Sequence, residues 1–124
     1  MPKRILVIDD DAFMRRLIEI ILKRDGYDVI GAESAHEGLN VLHQQHVDGI
    51  TCDLMMPVMG GNDFLAEIKQ HPDFKKIPVV IVTAAGLQDE IERSRLLGAM
   101  ATIEKPFTDS ELRQVMARAL EESV

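Results

Sequence analysis

The chain contains one cysteine, no tryptophan, one tyrosine and four phenylalanines in 124 residues. A single cysteine cannot close an internal disulfide, so the expected setting is a reducing cytoplasm. Cationic residues are also in short supply: 14 Lys and Arg stand against 21 Asp and Glu, a formal net charge of −7. A nucleic-acid surface needs a basic patch, and none is expected here. No apolar run approaches the roughly 18 residues of a membrane helix, so no membrane insertion is expected. The start, Met1-Pro2-Lys3-Arg4, leads into only four apolar residues, too few for a signal peptide. Neither GxxxxGK[ST] nor GxGxxG occurs, so the sequence supplies no dedicated nucleotide cradle.

What is present suits a single domain over residues 1–124: 46% apolar and 28% charged residues at an ordinary domain length. Continuous β-branched runs at 5–8 and 79–82 read as strands covered on both faces. Shorter strands are expected at 27–31, 48–52 and 100–103. Met14, Leu17, Ile18 and Ile21 follow the helical period, with Gly26 placed to end that helix. Ser34 to Glu37 and Thr108 to Glu111 read as capping boxes opening two more helices. The first of these turns Leu39 and Leu42 inward, and the second Leu112, Val115, Met116 and Leu120. Phe64, Leu65 and Ile68 mark a helix closed before Pro72. Residues 88–97 form a thin amphipathic helix on Ile91, Leu96 and Leu97, stopped by Gly98 and expected to pack loosely. Five strands alternating with five helices define an open, doubly wound α/β sheet with right-handed crossovers.

In such sheets ligands bind beyond the carboxyl ends of the strands. Polar groups collect there. Asp9-Asp10-Asp11 follow the first strand, Asp53 the third, Thr83 the fourth and Lys105 the fifth. Clustered carboxylates raise one another's pKa, and a divalent cation relieves this. Magnesium takes one or two carboxylates plus water and phosphate oxygens, so Asp10 and Asp53, with Asp9 nearby, form a candidate Mg2+ site. The same acids also suit a helix N-terminus, and Asp11 is assigned to that role alone. Lys105 by itself reads as an ordinary surface lysine, and Thr83 as the cap of a loop. Converging on one carboxylate, they suit phosphoryl transfer to Asp53, which depends mostly on positioning and charge neutralisation.

The motifs Val7-Ile8-Asp9-Asp10, Asp53-Leu54-Met55-Met56-Pro57-Val58-Met59-Gly60-Gly61, Val82-Thr83-Ala84 and Lys105-Pro106-Phe107 resemble the receiver domains of the response-regulator family. The resemblance runs from Ile5 to the last helix. It implies a flavodoxin-like five-stranded parallel sheet in the order 2-1-3-4-5. It implies a phospho-acceptor, not a turnover enzyme: Asp53 takes a phosphoryl group from a sensor histidine kinase or a histidine phosphotransfer protein. Asp10, Asp53 and the backbone carbonyl of Met55 would hold Mg2+, with Asp9 acting through water. Thr83 and Lys105 would contact the phosphoryl group, and the Lys105–Pro106 bond would be cis. The face made by the fourth helix, fifth strand and last helix would switch for a downstream protein target. The family commonly carries an aromatic residue where Thr102 stands and a polar one at Met55.

The chain ends soon after its last helix, so a stand-alone switch is expected, with a receiver module of a larger regulator as the alternative. A haloacid-dehalogenase-type aspartyl-phosphatase would need a second aspartate two residues after the nucleophile, where Met55 stands. Cys52 is expected to be buried on the face opposite Asp53. His36, His43, His46 and His71 share no metal-ligand spacing and are placed on helix or loop surfaces.

Overall fold

A computed structural model describes residues 2–122. Five strands, β1 (Arg4–Ile8), β2 (Asp28–Ala32), β3 (Gly49–Cys52), β4 (Val79–Ala84) and β5 (Ala101–Lys105), alternate with five helices. These are α1 (Ala12–Arg24), α2 (Ala35–Gln44), α3 (Gly61–Gln70), α4 (Gln88–Leu96) and α5 (Asp109–Glu122). The strands form one parallel sheet in the order β2-β1-β3-β4-β5. Every strand therefore ends at the same edge, and β1 and β3, which carry the acids, are neighbours.

Two apolar layers sandwich the sheet. Ile5, Val7, Val80, Val82 and Ile103 face Ile18, Ile21 and Leu22 of α1 and Leu112, Met116 and Leu120 of α5. Leu6, Ile8, Ile50, Cys52 and Ile81 face Val41 and Leu42 of α2 and Phe64, Leu65 and Ile68 of α3. Alternate residues of one strand go to opposite layers, which is why the strand sequences are apolar throughout. Cys52 lies buried on the α2–α3 side, and burial pushes its thiol far up.

Helix starts follow local chemistry. The Asp11 carboxylate accepts from the amides of Phe13 and Met14, Ser34 Oγ from Glu37 and Thr108 Oγ1 from Glu111. Gly26 and Gly98 stand just past α1 and α4 with φ of +96° and +105°. At Gly61 the need is close approach: its amide donates to the Leu54 carbonyl, and a Cβ there would run into the carbonyl oxygen of Asp53. The first turn of α3 is thereby pressed onto the end of β3.

The structure differs from sequence expectation at the strand ends and in α4. β4 and β5 continue through Thr83–Ala84 and Glu104–Lys105, because these residues still pair with each other. Thr83 and Lys105 thus belong to the strands themselves. Leu96 is 72% exposed, and the one fully buried residue of α4 is Ser94. Only Ile91 and Leu97 bring apolar surface from this helix and its cap to the core. Among the described residues no helix is long and apolar enough to cross a membrane.

Candidate functional site

Asp9, Asp10, Asp53, Thr83 and Lys105 converge at the carboxyl edge of the sheet. Asp9, Asp10 and Asp53 each offer an oxygen within 4.8 Å of the others. Asp53 is held on both oxygens. Its Oδ1 accepts from Thr83 Oγ1 at 2.8 Å and from the Met55 amide at 3.3 Å. Its Oδ2 accepts from Lys105 Nζ at 3.1 Å, and the same ammonium donates to Asp9 Oδ2 at 3.1 Å. Two separate strands and one loop fix a single carboxylate.

Burial differs sharply within the acidic trio. Asp9 and Asp53 are buried, whereas Asp10 is exposed. Burial of Asp9 raises its carboxyl pKa above the usual 3.8, although the Asp11 amide and Lys105 pull the other way. Burial by itself would lower the Lys105 pKa. The carboxylates of Asp53 and Asp9 outweigh that and raise it above 10.5, so this lysine stays an ammonium. The carboxylate of Asp10 has no hydrogen bond or ion pair among the described residues. Exposed and unpaired beside two buried acids, it is free to offer an oxygen to a cation. An all-oxygen donor set of this kind fits a hard cation such as Mg2+.

The other features have more modest roles. Met55 projects outward, 58% exposed, in the loop between β3 and α3. Asp11 caps α1. The Lys105–Pro106 peptide is cis. His36, His43 and His46 are exposed, while the rings of His43 and His71 pack with Phe74. Thr102 is half-buried beside Ile81, two residues short of Thr83 along the β4–β5 ladder.

Three contacts around the site had no signal in the sequence. Arg15 Nη1 donates to the Asp9 carbonyl at 2.8 Å. Asn62 Nδ2 donates to the Glu90 carbonyl at 3.0 Å, tying α3 to α4. Gln88 Nε2 donates to Glu104 Oε1 at 3.2 Å, tying α4 to β5. Each joins residues distant in sequence or off the helical period, and only the assembled sheet brings them together.

Sheet order and acidic edge together define a flavodoxin-like α/β protein with its site at the strand ends. The response regulator receiver domain family matches residues 5–117, and the chain belongs to that family, the receivers of two-component systems. It is 37% identical to the transcriptional regulatory protein GlrR of Escherichia coli K12, across 98% of this chain and 27% of that protein. It is 32% identical to the phosphate regulon transcriptional regulatory protein PhoB of Escherichia coli K12, across 100% of this chain and 58% of that protein. The chain thus spans well under two thirds of the length of these curated relatives. Among solved structures, it resembles a response regulator receiver domain protein of Methanospirillum hungatei, with a TM-score of 0.92, 28% identity and coverage of 99% and 97%. The receiver domain of NtrX from Brucella abortus gives a TM-score of 0.88 at 32% identity, covering 94% and 98%.

Replacing Lys105 tests the electrostatics directly. Lys105→Met leaves the buried Asp9 carboxylate without its cation and should destabilise the metal-free chain by about 2 kcal/mol at pH 7. The raised pKa of Asp9 means that its protonated form favours folding. That contribution is complete below pH 3.8 and is lost as pH rises through the folded value. The gap between native chain and variant should therefore shrink between pH 7 and pH 4, read from urea midpoints in EDTA. A gap that is constant with pH would contradict the assignment.

Proposed function

We propose that Asp53 is the phosphoryl acceptor of this receiver domain, and that Asp10, Asp53 and the Met55 carbonyl hold Mg2+, with Asp9 acting through water. The observation that carries the reading is the clamping of one carboxylate between the Thr83 hydroxyl and the Lys105 ammonium. An Asp53 oxygen attacks phosphorus, the bond to the donor breaks, and a phosphohistidine donor departs as imidazole, which takes up a proton. Bound Mg2+ would neutralise charge on the phosphoryl oxygens. Lys105, in contact with Asp53 Oδ2, offers a second positive charge. Thr83, relieved of Asp53 Oδ1, can donate to a phosphoryl oxygen instead.

The donor is a sensor histidine kinase or histidine phosphotransfer protein. Exposed Phe13, in the first turn of α1, and exposed Met55 and Val58, in the loop after β3, support that reading, since both segments leave the same sheet edge. The chain acts as one receiver unit over residues 1–124, and its output passes to a downstream protein.

The α4–β5–α5 face is the switching surface. α4 is the most weakly anchored helix, with only Ser94 fully buried. Its first turns are held by the Asn62 and Gln88 hydrogen bonds. Glu104, the partner of Gln88, lies directly across the ladder from Thr83. Movement of Thr83 therefore reaches α4 through β5 without needing an aromatic ring at Thr102.

Two measurements test this. Incubation with acetyl phosphate and Mg2+ should add one phosphoryl mass to the native chain and none to Asp53→Asn. Uptake by the variant at the native rate would remove Asp53 from its role. Beryllofluoride with Mg2+, as a phosphoryl mimic, should change hydrogen exchange across residues 86–103. Identical protection in both states would rule out α4 as the moving element.

A further inference from the structure

We propose that Arg15 is a positioning residue for the acidic turn: by holding the Asp9 carbonyl, it sets the direction in which Asp10 presents its carboxylate to a divalent cation. This rests on the reading of Asp9, Asp10 and Asp53 as a Mg2+ site.

The carbonyl that accepts from Arg15 Nη1, at 2.8 Å, belongs to the peptide joining Asp9 to Asp10. The rest of the turn is fixed on either side. The Asp9 amide donates to the Ala32 carbonyl of β2, and the Asp11 amide donates to Asp9 Oδ1 at 2.9 Å. Asp11 in turn caps α1. The Asp10 carboxylate alone is untied among the described residues. Its direction is inherited from the peptide plane before it, and Arg15 is the side chain that pins that plane. A ligand held in place beforehand loses less freedom when the ion binds.

Arg15 is itself braced. Its Nε lies 3.8 Å from Glu19 Oε2, one turn further along α1, and both side chains are about one-fifth exposed. The pair lies over β2 at Gly31, where a Cβ would collide with the Glu19 carboxylate and touch Arg15 Cδ. The bare backbone at Gly31 leaves room for the brace. Gly31, Glu19, Arg15 and the Asp9 carbonyl thus form a continuous support from β2 to the acidic turn.

Positioning and simple charge predict opposite results. A guanidinium acting only as a nearby positive charge repels the cation, so its removal would tighten Mg2+ binding. A guanidinium that aims Asp10 makes binding weaker when removed.

The test is Mg2+ calorimetry on the full chain, with the native sequence, Arg15→Met and Gly31→Ala, paired with acetyl phosphate labelling rates across a Mg2+ series. Arg15→Met should weaken Mg2+ binding about tenfold, as loss of an outer-shell partner does. The Mg2+ concentration giving half-maximal labelling should rise by the same factor, while the rate at saturating Mg2+ falls far less. Gly31→Ala should shift both in the same direction, by less, because it displaces Glu19 and leaves the guanidinium in the chain. It also carries the test should Arg15→Met fold poorly. Unchanged affinity in both variants would reduce Arg15 to a structural tie, and tighter binding would reduce it to a local charge. Absence of Mg2+ binding by the native chain would overturn the site reading itself, and the role of Arg15 with it.

Discussion

Three carboxylates gathered at one sheet edge repel one another, and the rest of the structure answers to that repulsion. At 4.8 Å a pair of unit charges in an effective dielectric of about 20 costs roughly 3 to 4 kcal/mol. Lys105 offsets part of this by bridging Asp9 and Asp53 at 3.1 Å each. The bridge is possible because β1, β3 and β5 run parallel and end together. An antiparallel neighbour would have carried its end to the far edge. One ammonium bridging two carboxylates cannot balance three, and among the described residues Asp10 is left exposed without a partner. The site is thereby biased toward a further cation and, behind it, an anion that both cations can hold.

The supports of this edge differ in stiffness. β1, β3 and β4 are buried almost throughout, and Gly61 presses the start of α3 against the Asp53 carbonyl. These parts hold geometry. α4 contributes little apolar surface and depends on side-chain hydrogen bonds from Asn62 and Gln88, each worth about 1 kcal/mol net. A change at Thr83 of that size is enough to compete with them. Rigidity at the acids and weakness at α4 thus belong to one arrangement, the one the proposed function calls for: fixed ligands for chemistry and an element that yields for signalling.

Much of this was legible in the sequence, for physical reasons. A parallel sheet covered on both faces demands continuous apolar strands, so Val79 to Val82 and Ile5 to Ile8 announced themselves. Polar groups at the ends of several such runs fall on one sheet edge, which marked Asp9, Asp10 and Asp53 as a group although such acids also suit a helix N-terminus. Strand ends were less legible, because Ala84 and Lys105 are in the ladder only by virtue of each other. The facing of α4 was misread at Leu96, since helical periodicity assigns apolar residues to the core and cannot foresee a buried Ser94. The Arg15 contact follows no helical spacing to Asp9, and the Asn62 amide meets a backbone carbonyl, which carries no residue identity at all. Contacts of that kind become visible only once the chain is folded.

The central claim is that the metal-free acidic edge carries an unrelieved electrostatic cost that a divalent cation removes. Its most direct test is the unfolding free energy at pH 7 against free Mg2+ at constant ionic strength. Stability should be lowest in EDTA and, above the dissociation constant, should climb by about 1.4 kcal/mol for each tenfold rise in Mg2+. A stability that stays level from EDTA to high Mg2+ would contradict the account.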